Sequence, residues 1–549
     1  MQAIKLPFST LRLTAFRPEW VTLCLVLFFL LFCNMPFWGN LLAAQPMNVA
    51  NLPGLVAIFI FLLATFNLLL TLLAWPFILR PVLTFMLVAT AFAAYFMNQY
   101  GVMIDVNMIR NILETDIAES RDLLTLKMAA YVLLLGVLPV WLLWRVPIRW
   151  RSPGREIVSK GVVIFLSLSI MALVALAYFQ TFASIARNHR ELRFLLTPSN
   201  YLQAASGYVR RQSAKLLVVE PIGRDARLGA AWLHRPRKSL TVIVVGETAR
   251  ADHFSLNGYA RETNPQLAKE SGLISLTNVR SCGTETAVSL PCMFSGMGRS
   301  QFSREKAERR ENLLDVLQHA GLTVHWRDNQ SGCKGVCDRV PSENLKDAGV
   351  PEFCGPEGCF DDILLRGLAE QLTHLEQNTV LVLHMMGSHG PAYYKRYPGR
   401  FEVFLPVCQT SQLDRCAQQD IVNAFDNTLR YTDSVLAKLI QLLRQHDDRV
   451  DTAMLYVSDH GESLGEHNLY LHGTPYLIAP DAQKHVPMLL WFSDGYRKNF
   501  GIDTACLTRS HDQRLSHDNL YHSVLGLLNV QTQQYDAAQD LFKSCRNAG

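Results

Sequence analysis

The chain has 549 residues, of which 49% are hydrophobic and 18% are charged, and its formal net charge is +5. It is too long for one simple domain, and this composition favours a membrane protein. The small net charge gives no reason to expect a nucleic-acid partner. Between residues 21 and 79 there is no Asp, Glu, Lys or Arg, whereas from Thr241 onward the chain has the charges and turns of a soluble protein.

The first part of the chain contains segments long enough to cross a bilayer, which takes about 20 apolar residues per helix. Five segments qualify: 21–42, 53–75, 81–98, 128–144 and 161–182. The first could be a signal peptide, but no small-residue cleavage site follows it, and four more segments come after it. We therefore expect a transmembrane domain of five helices over residues 1–182.

Lysines and arginines between the spans predict the orientation, because cytoplasmic loops are enriched in these residues. They occur before the first span, after the second and after the fourth: Lys5, Arg12, Arg17, Arg80, Arg145, Arg149, Arg151 and Arg155. These regions alternate as cytoplasmic loops should. The N-terminus is then cytoplasmic, and everything after residue 182 lies outside the cytoplasm.

Ten of the twelve cysteines follow residue 182, and an even number in an exported domain suggests disulfide bonds. Their spacing suggests local pairs, with one distant pair left over: Cys282–Cys292, Cys333–Cys337, Cys354–Cys359, Cys408–Cys416 and Cys506–Cys545. The alternative is a structural zinc site among the four cysteines between 333 and 359. That spacing lacks a zinc-ribbon pattern, and an oxidising compartment favours disulfides.

After the membrane domain we expect an exported connector over 183–235 and a soluble domain over 236–549. Residues 200–217 have the apolar spacing of a helix, which lies along the membrane surface or serves as an ordinary linker. The last part alternates short apolar runs with helical patterns. This alternation predicts an α/β fold with a largely parallel sheet.

Residues that can bind metal follow three of the predicted strands. Glu247 follows "LTVIVVG", His389 follows "NTVLVLHMMGS", and Asp459 and His460 follow "DTAMLYVS". Any one of them could be an ordinary surface or capping residue. Ligands bind beyond the carboxyl ends of strands in open α/β sheets, and carboxylate and imidazole groups bind zinc.

Several motifs together carry a family resemblance: "VVGETAR", "SCGTETAVSLPCMFS", "GCKGVCDRV", "GSHGPAYYKRYP", "SDHGESLGEH" and "LHGTPY". The exported part resembles the alkaline phosphatase/sulfatase superfamily. The whole chain is more closely similar to the lipid A phosphoethanolamine transferases, the family that includes the polymyxin-resistance enzymes. The resemblance covers the five spans and the exported domain, and it implies an alkaline phosphatase/sulfatase-like fold for that domain.

The resemblance also implies roles for individual residues. Glu247, Asp459 and His460 should bind one zinc ion, with Thr286 as nucleophile and fourth contact. His389 and His472 should face the transferred group, as ligands of a second zinc or as proton donors and acceptors. Further residues should act around them: Lys334 and Gln330 on phosphate oxygens, Glu462 as an additional acid, and Glu114 on the donor lipid.

Two neighbouring classes of protein fit less well. Sulfatases need a Cys/Ser-x-Pro/Ala-x-Arg motif, whereas this chain has "TETAVS" there, with neither the Pro nor the Arg. Lipoteichoic acid synthases share the threonine and five spans, but "GCKGVCDRV" points away from them. A zinc-binding sensor without activity would be expected to have lost a ligand or the nucleophile, and none is missing.

The resemblance implies an enzyme of the bacterial inner membrane that moves phosphoethanolamine from phosphatidylethanolamine to a lipid A phosphate. Thr286 would carry the group between the two half-reactions, and the product would resist polymyxin and colistin. The alternative acceptors are a core heptose of lipopolysaccharide or another glycan. We expect a monomer whose partners are these lipids.

Overall fold

The computed structural model describes residues 15–546, except residues 50, 115–122, 180, 183–184, 186–189, 214–218, 234, 347, 356–357, 412 and 467–468. The chain forms two compact units. One comprises residues 1–106 and 124–205, and the other comprises residues 107–123 and 206–549. These units differ from the three predicted segments, because the expected connector is divided between them. A short stretch from between two spans also belongs to the second unit.

Four helices of the first unit are long and apolar enough to cross a membrane: Leu52–Leu73, Leu79–Tyr100, Leu126–Arg145 and Pro153–Ala177. The first apolar segment is instead a pair of helices, Pro18–Cys33 and Met35–Ala44, that meet at 63°. The expected count of five holds among the described residues if this bent pair is one span.

The bend in the first apolar segment lies at Asn34, two residues before Pro36. Proline has no N–H to continue the helical hydrogen bonds, so the backbone bends there. The buried Asn34 side chain donates to the carbonyls of Phe29 and Thr197, each at 2.9 Å, and accepts from the Thr197 amide at 2.8 Å. The interruption therefore keeps its polar backbone groups paired inside an apolar unit.

The second unit is built around an eight-stranded sheet. The described residues contain fourteen strands, numbered in chain order. Eight of them form this sheet: β2 (Lys238–Gly246), β3 (Ile274–Arg280), β4 (Thr323–Asp328), β5 (Ser342–Asn344), β8 (Thr379–His384), β9 (Val450–Ser458), β12 (His485–Phe492) and β13 (Leu515–Ser516). Their order in the sheet is β13-β3-β12-β9-β2-β8-β4-β5. Strands β9, β2, β8, β4 and β5 run parallel, as expected, whereas β12 is antiparallel to both neighbours. The remaining strands form two-stranded pairs: β1 (Arg227–Leu228) with β14 (Val530–Gln531), β6 (Cys354–Gly355) with β7 (Gly358–Cys359), and β10 (Ser463–Leu464) with β11 (Tyr470–Leu471).

Both faces of the sheet are covered. Along β2, Ile243 and Val245 belong to one hydrophobic cluster, and Val242 and Val244 belong to the other. Side chains alternate between faces along a strand, so a continuous apolar run is buried on both sides. Each such buried side chain contributes about 1.5–3 kcal/mol relative to an exposed one.

Helices supply the two outer layers. Residues of helix Gln418–Gln445 contribute to the cluster on the Val242 side, and the Ile243 side is covered by Thr286–Ser295, Leu313–His319 and Asp518–Leu527. Shorter helices of this unit are Gly298–Gln301, Arg304–Glu308, Leu368–Thr373, Asp494–Phe500 and Thr504–Arg509. Helix Val106–Glu114 lies in the sequence between two of the spans, and helix Ser199–Ser213 lies between the last span and the first strand. The second of these covers most of the helix expected at 200–217, and residues 214–217 lie outside the described residues.

All five expected cysteine pairs are disulfide bonds in the structure. Cys24 and Cys33, in the first apolar segment, are free thiols. The alternative of a zinc site at residues 333–359 is wrong, because its four sulfur atoms are used in Cys333–Cys337 and Cys354–Cys359.

Candidate active site

The ends of two adjacent parallel strands place the first site residues together. Gly246, the last residue of β2, lies opposite Ser458, the last residue of β9. Glu247 and Asp459 follow these two residues directly, and the Asp459 amide donates to the Gly246 carbonyl at 2.9 Å. The sheet register therefore brings two carboxylates to one point from positions more than two hundred residues apart in the sequence.

Glu247, Asp459 and His460 form a buried cluster whose ligand atoms all lie within 4.8 Å of one another. His460 Nε2 is 3.3 Å from Asp459 Oδ2 and 3.5 Å from Glu247 Oε1. None of the three side chains is more than 1% exposed. Two carboxylates and an imidazole at this spacing can bind one zinc ion.

The hydrogen bonds of His460 and Asp459 show which atoms face the centre of the cluster. His460 Nδ1 lies 2.9 Å from the Gly461 carbonyl, to which it can only donate, so Nε2 keeps its lone pair. Asp459 Oδ1 accepts from the amides of Thr248 and His460 at 3.1 and 2.8 Å. Asp459 Oδ2 is buried and has no hydrogen-bond partner among the described residues. Buried acceptors that face one another fit a cation between them.

Burial shapes the protonation of these three groups. It raises the pKa of Asp459 to about 6, and burial together with the nearby Asp459 raises the pKa of Glu247. Burial, with the neighbouring His472, lowers the pKa of His460 to about 3. A divalent cation favours ionised carboxylates and neutral imidazole, so the donor set matches zinc.

Thr286 is the first residue of helix Thr286–Ser295. Its Oγ1 atom lies 3.1 and 3.2 Å from the Glu247 carboxylate oxygens and 3.4 Å from His460 Nε2. The predicted nucleophile is thus beside the cluster of Glu247, Asp459 and His460 and at the N-terminus of a helix, where backbone N–H groups can hold a phosphate. The other threonine of this turn, Thr284, donates to the Thr474 carbonyl at 2.7 Å.

His389 and His472 lie on the same side of the cluster. The His472 ring centre is 4.4 Å from that of His460 and 5.7 Å from that of His389. The short hairpin of β10 and β11 sets Glu462 beside His472, with Oε2 and Nδ1 3.4 Å apart. Burial lowers the pKa of His472, but the Glu462 carboxylate outweighs it and raises the value to about 9. Burial and the nearby His472 lower the pKa of His389, so the two histidines differ in charge.

Gln330 and Lys334 lie on the loop after β4. Gln330 Nε2 donates to Glu247 Oε2 at 3.1 Å, so Gln330 contacts a carboxylate of the cluster formed by Glu247, Asp459 and His460. Lys334 has a positive φ of 52° inside the Cys333–Cys337 loop, and its Nζ donates to the carbonyl and hydroxyl of Ser331. The structure therefore joins Gln330 to the cluster and places Lys334 on the same loop.

Glu114 is the last residue of helix Val106–Glu114, and its side chain lies outside the described part of the chain. Asn111, on the same helix, contacts a residue of the site. Asn111 Nδ2 donates to Glu285 Oε2 at 2.8 Å, directly beside Thr286. Neither residue was predicted from the sequence, although Asn111 lies in the segment "NMIRNILETD" with Glu114, and Glu285 lies in the motif "SCGTETAVSLPCMFS".

His517 is a further residue of the site that was not predicted from the sequence. It is buried between the end of β9 and the turn before Thr286, where its Nε2 donates to the Ser458 carbonyl at 2.9 Å and its Nδ1 accepts from the Cys282 amide at 3.1 Å. Burial lowers the pKa of His517 to about 3, so the ring is neutral and can make both bonds. No motif marks "RLSHDN", and only the fold reveals this contact.

Two family models match the chain. A sulfatase model matches residues 239–530, and a model described as phosphoethanolamine transferase EptA/EptB matches residues 62–213. Phosphoethanolamine transferase EptA of Escherichia coli K12 is 42% identical over 528 residues, which cover 95% of this chain and 96% of that protein. Phosphatidylethanolamine transferase Mcr-1 of Escherichia coli is 38% identical over 509 residues, 90% of this chain and 92% of that protein.

A solved structure agrees with these sequence matches. Lipooligosaccharide phosphoethanolamine transferase A (EptA), an integral membrane protein of Neisseria meningitidis, superposes with a TM-score of 0.92 at 35% identity. The superposition covers 96% of this chain and 98% of that protein, so it includes the membrane helices and the sulfatase-like domain. The chain therefore belongs to the EptA family of phosphoethanolamine transferases.

Proposed function

We propose that this protein transfers phosphoethanolamine from phosphatidylethanolamine to a phosphate of lipid A through a phosphothreonine at Thr286. The observation that carries the proposal is the position of Thr286 Oγ1, 3.1–3.4 Å from Glu247 and His460 at a helix N-terminus. Membership of the EptA family supports the reaction class. The name of the Neisseria meningitidis transferase, which specifies lipooligosaccharide, supports a lipid A-type acceptor.

Glu247, Asp459 and His460 would hold one zinc ion, with Thr286 Oγ1 as the fourth contact. When bound, zinc lowers the pKa of a hydroxyl group beside it and offers positive charge to phosphate oxygens. Gln330 fixes the Glu247 carboxylate at 3.1 Å, and the amides of Thr248 and His460 fix Asp459. These contacts keep the ligand atoms in place before the metal and the lipid arrive.

The transfer would take place in two displacements. Thr286 Oγ1 attacks the phosphorus of phosphatidylethanolamine, a P–Oγ1 bond forms, and the bond to the glycerol oxygen breaks as diacylglycerol leaves with the proton that Oγ1 gives up. A lipid A phosphate oxygen then attacks the same phosphorus, and the P–Oγ1 bond breaks as Oγ1 takes up the acceptor's proton or one from water to restore the threonine. Lys334 and the helix N–H groups would hold the phosphate oxygens. His389 and His472 would face the transferred group, and Glu462 would support His472.

The product would carry an added primary amine, which offsets the negative charge of lipid A. Cationic peptides such as polymyxin and colistin are attracted to lipid A phosphates by that charge, so they would bind less well. We place the protein in the bacterial inner membrane, as a monomer with a cytoplasmic N-terminus and a periplasmic catalytic domain. In that orientation the active site meets donor and acceptor lipids on the periplasmic side.

Mass spectrometry of lipid A from cells with and without this protein tests the proposal. We expect a mass increment of one phosphoethanolamine in cells that contain it, and none when Thr286→Ala replaces it. Thr284→Ala should keep at least part of the modification, because Thr284 bonds a carbonyl rather than the metal cluster. Modified lipid A in Thr286→Ala cells would contradict the covalent scheme. An increment on core sugars alone would move the acceptor from lipid A to the core.

A further inference from the structure

Few large apolar side chains are exposed in the unit that contains the sheet. Among the described residues after 213 there are five: Leu233, Val403, Leu405, Leu477 and Ile478. Four of them lie in the two loops that follow the site histidines His389 and His472, and Leu477, at 90%, is the most exposed. Single exposed apolar residues are normal, but a group at one site indicates an interaction surface. We call Val403, Leu405, Leu477 and Ile478 the apolar rim.

The loop after His472 carries one half of the apolar rim and is bonded to the turn before the proposed nucleophile. Thr284 Oγ1 donates to the Thr474 carbonyl at 2.7 Å, and Tyr476 Oη donates to the Ser281 carbonyl at 2.9 Å. The two apolar residues of this loop follow Tyr476 directly. This half of the apolar rim therefore lies beside the active site.

The other half of the apolar rim, in the loop after His389, lies at the same edge of the sheet. The amides of Val403 and Phe404 donate to Asn427 Oδ1 at 3.0 and 2.9 Å. Asn427 is about 27 Å from the end of helix Gln418–Gln445 at 1.5 Å per residue. That helix ends just before β9 begins, and the nine residues of β9 span about 30 Å. Asn427 is therefore close to the level of the carboxyl end of β9, where the site residues meet.

An aromatic ring flanked by two cations supports each half of the apolar rim. The distances from cation to ring centre are 3.3–5.8 Å, for Tyr476 with Arg299 and Lys484 and for Phe404 with Arg261 and Arg430. Exposed apolar groups beside aromatic rings, Arg and Lys are typical of protein surfaces at a bilayer interface. There the apolar groups enter the lipid and the cations face lipid phosphates.

The reaction proposed for the site requires a lipid surface at this edge of the sheet. In phosphatidylethanolamine a single oxygen joins the phosphorus to glycerol, so Thr286 meets the phosphorus within the headgroup layer. A bilayer is about 30 Å thick in its hydrocarbon core and about 40–45 Å with its headgroups, so each headgroup layer is only about 5–8 Å deep. Side chains that surround the site must then enter this layer, where contact with lipid favours leucine and isoleucine over contact with water.

We propose that the apolar rim inserts into the headgroup layer of a phospholipid bilayer and holds the active site at the depth of the donor phosphorus. The inference rests on the proposed function. The membrane-spanning helices already keep the protein in the membrane, so the apolar rim sets the position of the site rather than the strength of membrane binding. Loss of insertion slows the turnover of lipids in a bilayer and spares lipids that dissolve as monomers.

Fluorescence quenching tests insertion directly. Full-length protein with Cys24→Ser, which removes the exposed free thiol, is labelled with the fluorophore NBD at Leu477→Cys and placed in phosphatidylcholine nanodiscs. Lipids that carry a nitroxide near the headgroup should lower the emission about twofold or more. The matched control is Leu233→Cys, because Leu233 is also exposed but lies five residues before β2 begins, away from the carboxyl end of that strand. Its emission should hardly change.

Turnover tests the consequence of insertion. Each protein is given phosphatidylethanolamine with a fluorescent acyl chain in the same nanodisc, or dibutyroyl phosphatidylethanolamine dissolved as monomers, and release of the corresponding diacylglycerol is measured. A charge in place of an inserted leucine, in Leu477→Asp, should lower kcat/KM for the bilayer lipid about tenfold and leave the value for the dissolved lipid nearly constant. Leu477→Phe, which stays apolar, and the control Leu233→Asp should keep both values. An unchanged melting temperature shows that Leu477→Asp folds.

The outcomes separate the two ideas. If wild-type protein releases no diacylglycerol from either lipid, the proposed function fails. If wild-type protein is active but the labels at positions 477 and 233 are quenched equally, the inference about the apolar rim is wrong while the proposed function stands. The inference is also wrong if Leu477→Asp lowers the values for both donors equally, since Leu477 would then act within the site. It is wrong as well if Leu477→Asp reduces lipid A modification only in cells, since the apolar rim would then contact a partner protein.

Discussion

His517 is the residue that connects the end of β9, next to Asp459, to the turn before Thr286. Replacing it with alanine removes its bonds to the Ser458 carbonyl and the Cys282 amide, and the loss of bonds to buried backbone groups costs about 1–3 kcal/mol. We expect His517→Ala to lower the melting temperature and to reduce transfer. His517→Gln, which offers both a donor and an acceptor, should recover part of each.

Thermal unfolding and diacylglycerol release measure these two effects. The matched control is His511→Ala, because His511 is exposed and its side chain bonds only the nearby Thr508 carbonyl among the contacts in the described residues. It should change neither quantity. A His517→Ala protein as stable and active as wild type would contradict the positioning role.

Residues that follow strands could be predicted from the sequence, and residues that act across the fold could not. Glu247 and Asp459 were predictable because an apolar run ends at each of them, and parallel strand ends meet at one edge of a sheet. His517 and Asn111 contact residues 235 and 174 positions away in the chain. No local pattern encodes such a distance, so only the packed structure reveals these contacts.

At the scale of elements, the Cys282–Cys292 disulfide ties the turn before Thr286 to the helix that Thr286 begins. In the chain-entropy model, a disulfide that closes a loop of this size contributes about 3 kcal/mol to stability. We expect the double variant Cys282→Ser, Cys292→Ser to melt at a lower temperature and to transfer less phosphoethanolamine. The loss of transfer would follow because the helix start, and with it Thr286 Oγ1, is held less tightly beside Glu247.

The Cys408–Cys416 disulfide provides a control of matched size, with a sequence separation of 8 against 10. Removing it should lower the melting temperature by a similar amount and leave transfer at moderate temperature close to wild type. If both double variants lose transfer equally, the Cys282–Cys292 bond serves stability alone.

The elements themselves were only partly predictable. Hydropathy locates the apolar segments, because it depends on composition over about 20 residues. It does not show the 63° bend at Asn34, which depends on one proline and on a bond to the distant Thr197. The antiparallel direction of β12 was also not predicted, since a strand buried on both faces has the same apolar pattern in either direction.

At the scale of the whole molecule, the proposed zinc site joins three segments that are far apart in the sequence, at residues 247, 286 and 459–460. Without a cation, burial raises the pKa values of the Glu247 and Asp459 carboxylates. Keeping these groups ionised therefore lowers the stability of the folded protein. A metal that binds only the folded protein should therefore stabilise the soluble unit as a whole. At a free concentration 100 times its Kd, it would contribute about 2.7 kcal/mol.

Chelation tests this link between metal and fold. We expect EDTA treatment of the full-length protein to lower its melting temperature and to stop diacylglycerol release, and added zinc to restore both. In Asp459→Asn the cluster loses a ligand, so its melting temperature should respond to neither EDTA nor zinc, whereas Glu305→Gln, which removes a charge from an exposed ion pair with Arg309, should respond as wild type does. Metal analysis should show whether EDTA has removed the zinc. If the zinc is gone and the wild-type melting temperature does not change, the metal does not stabilise the fold. If EDTA and zinc change the melting temperature of Asp459→Asn as much as that of wild type, the stabilising ion does not bind at Glu247, Asp459 and His460.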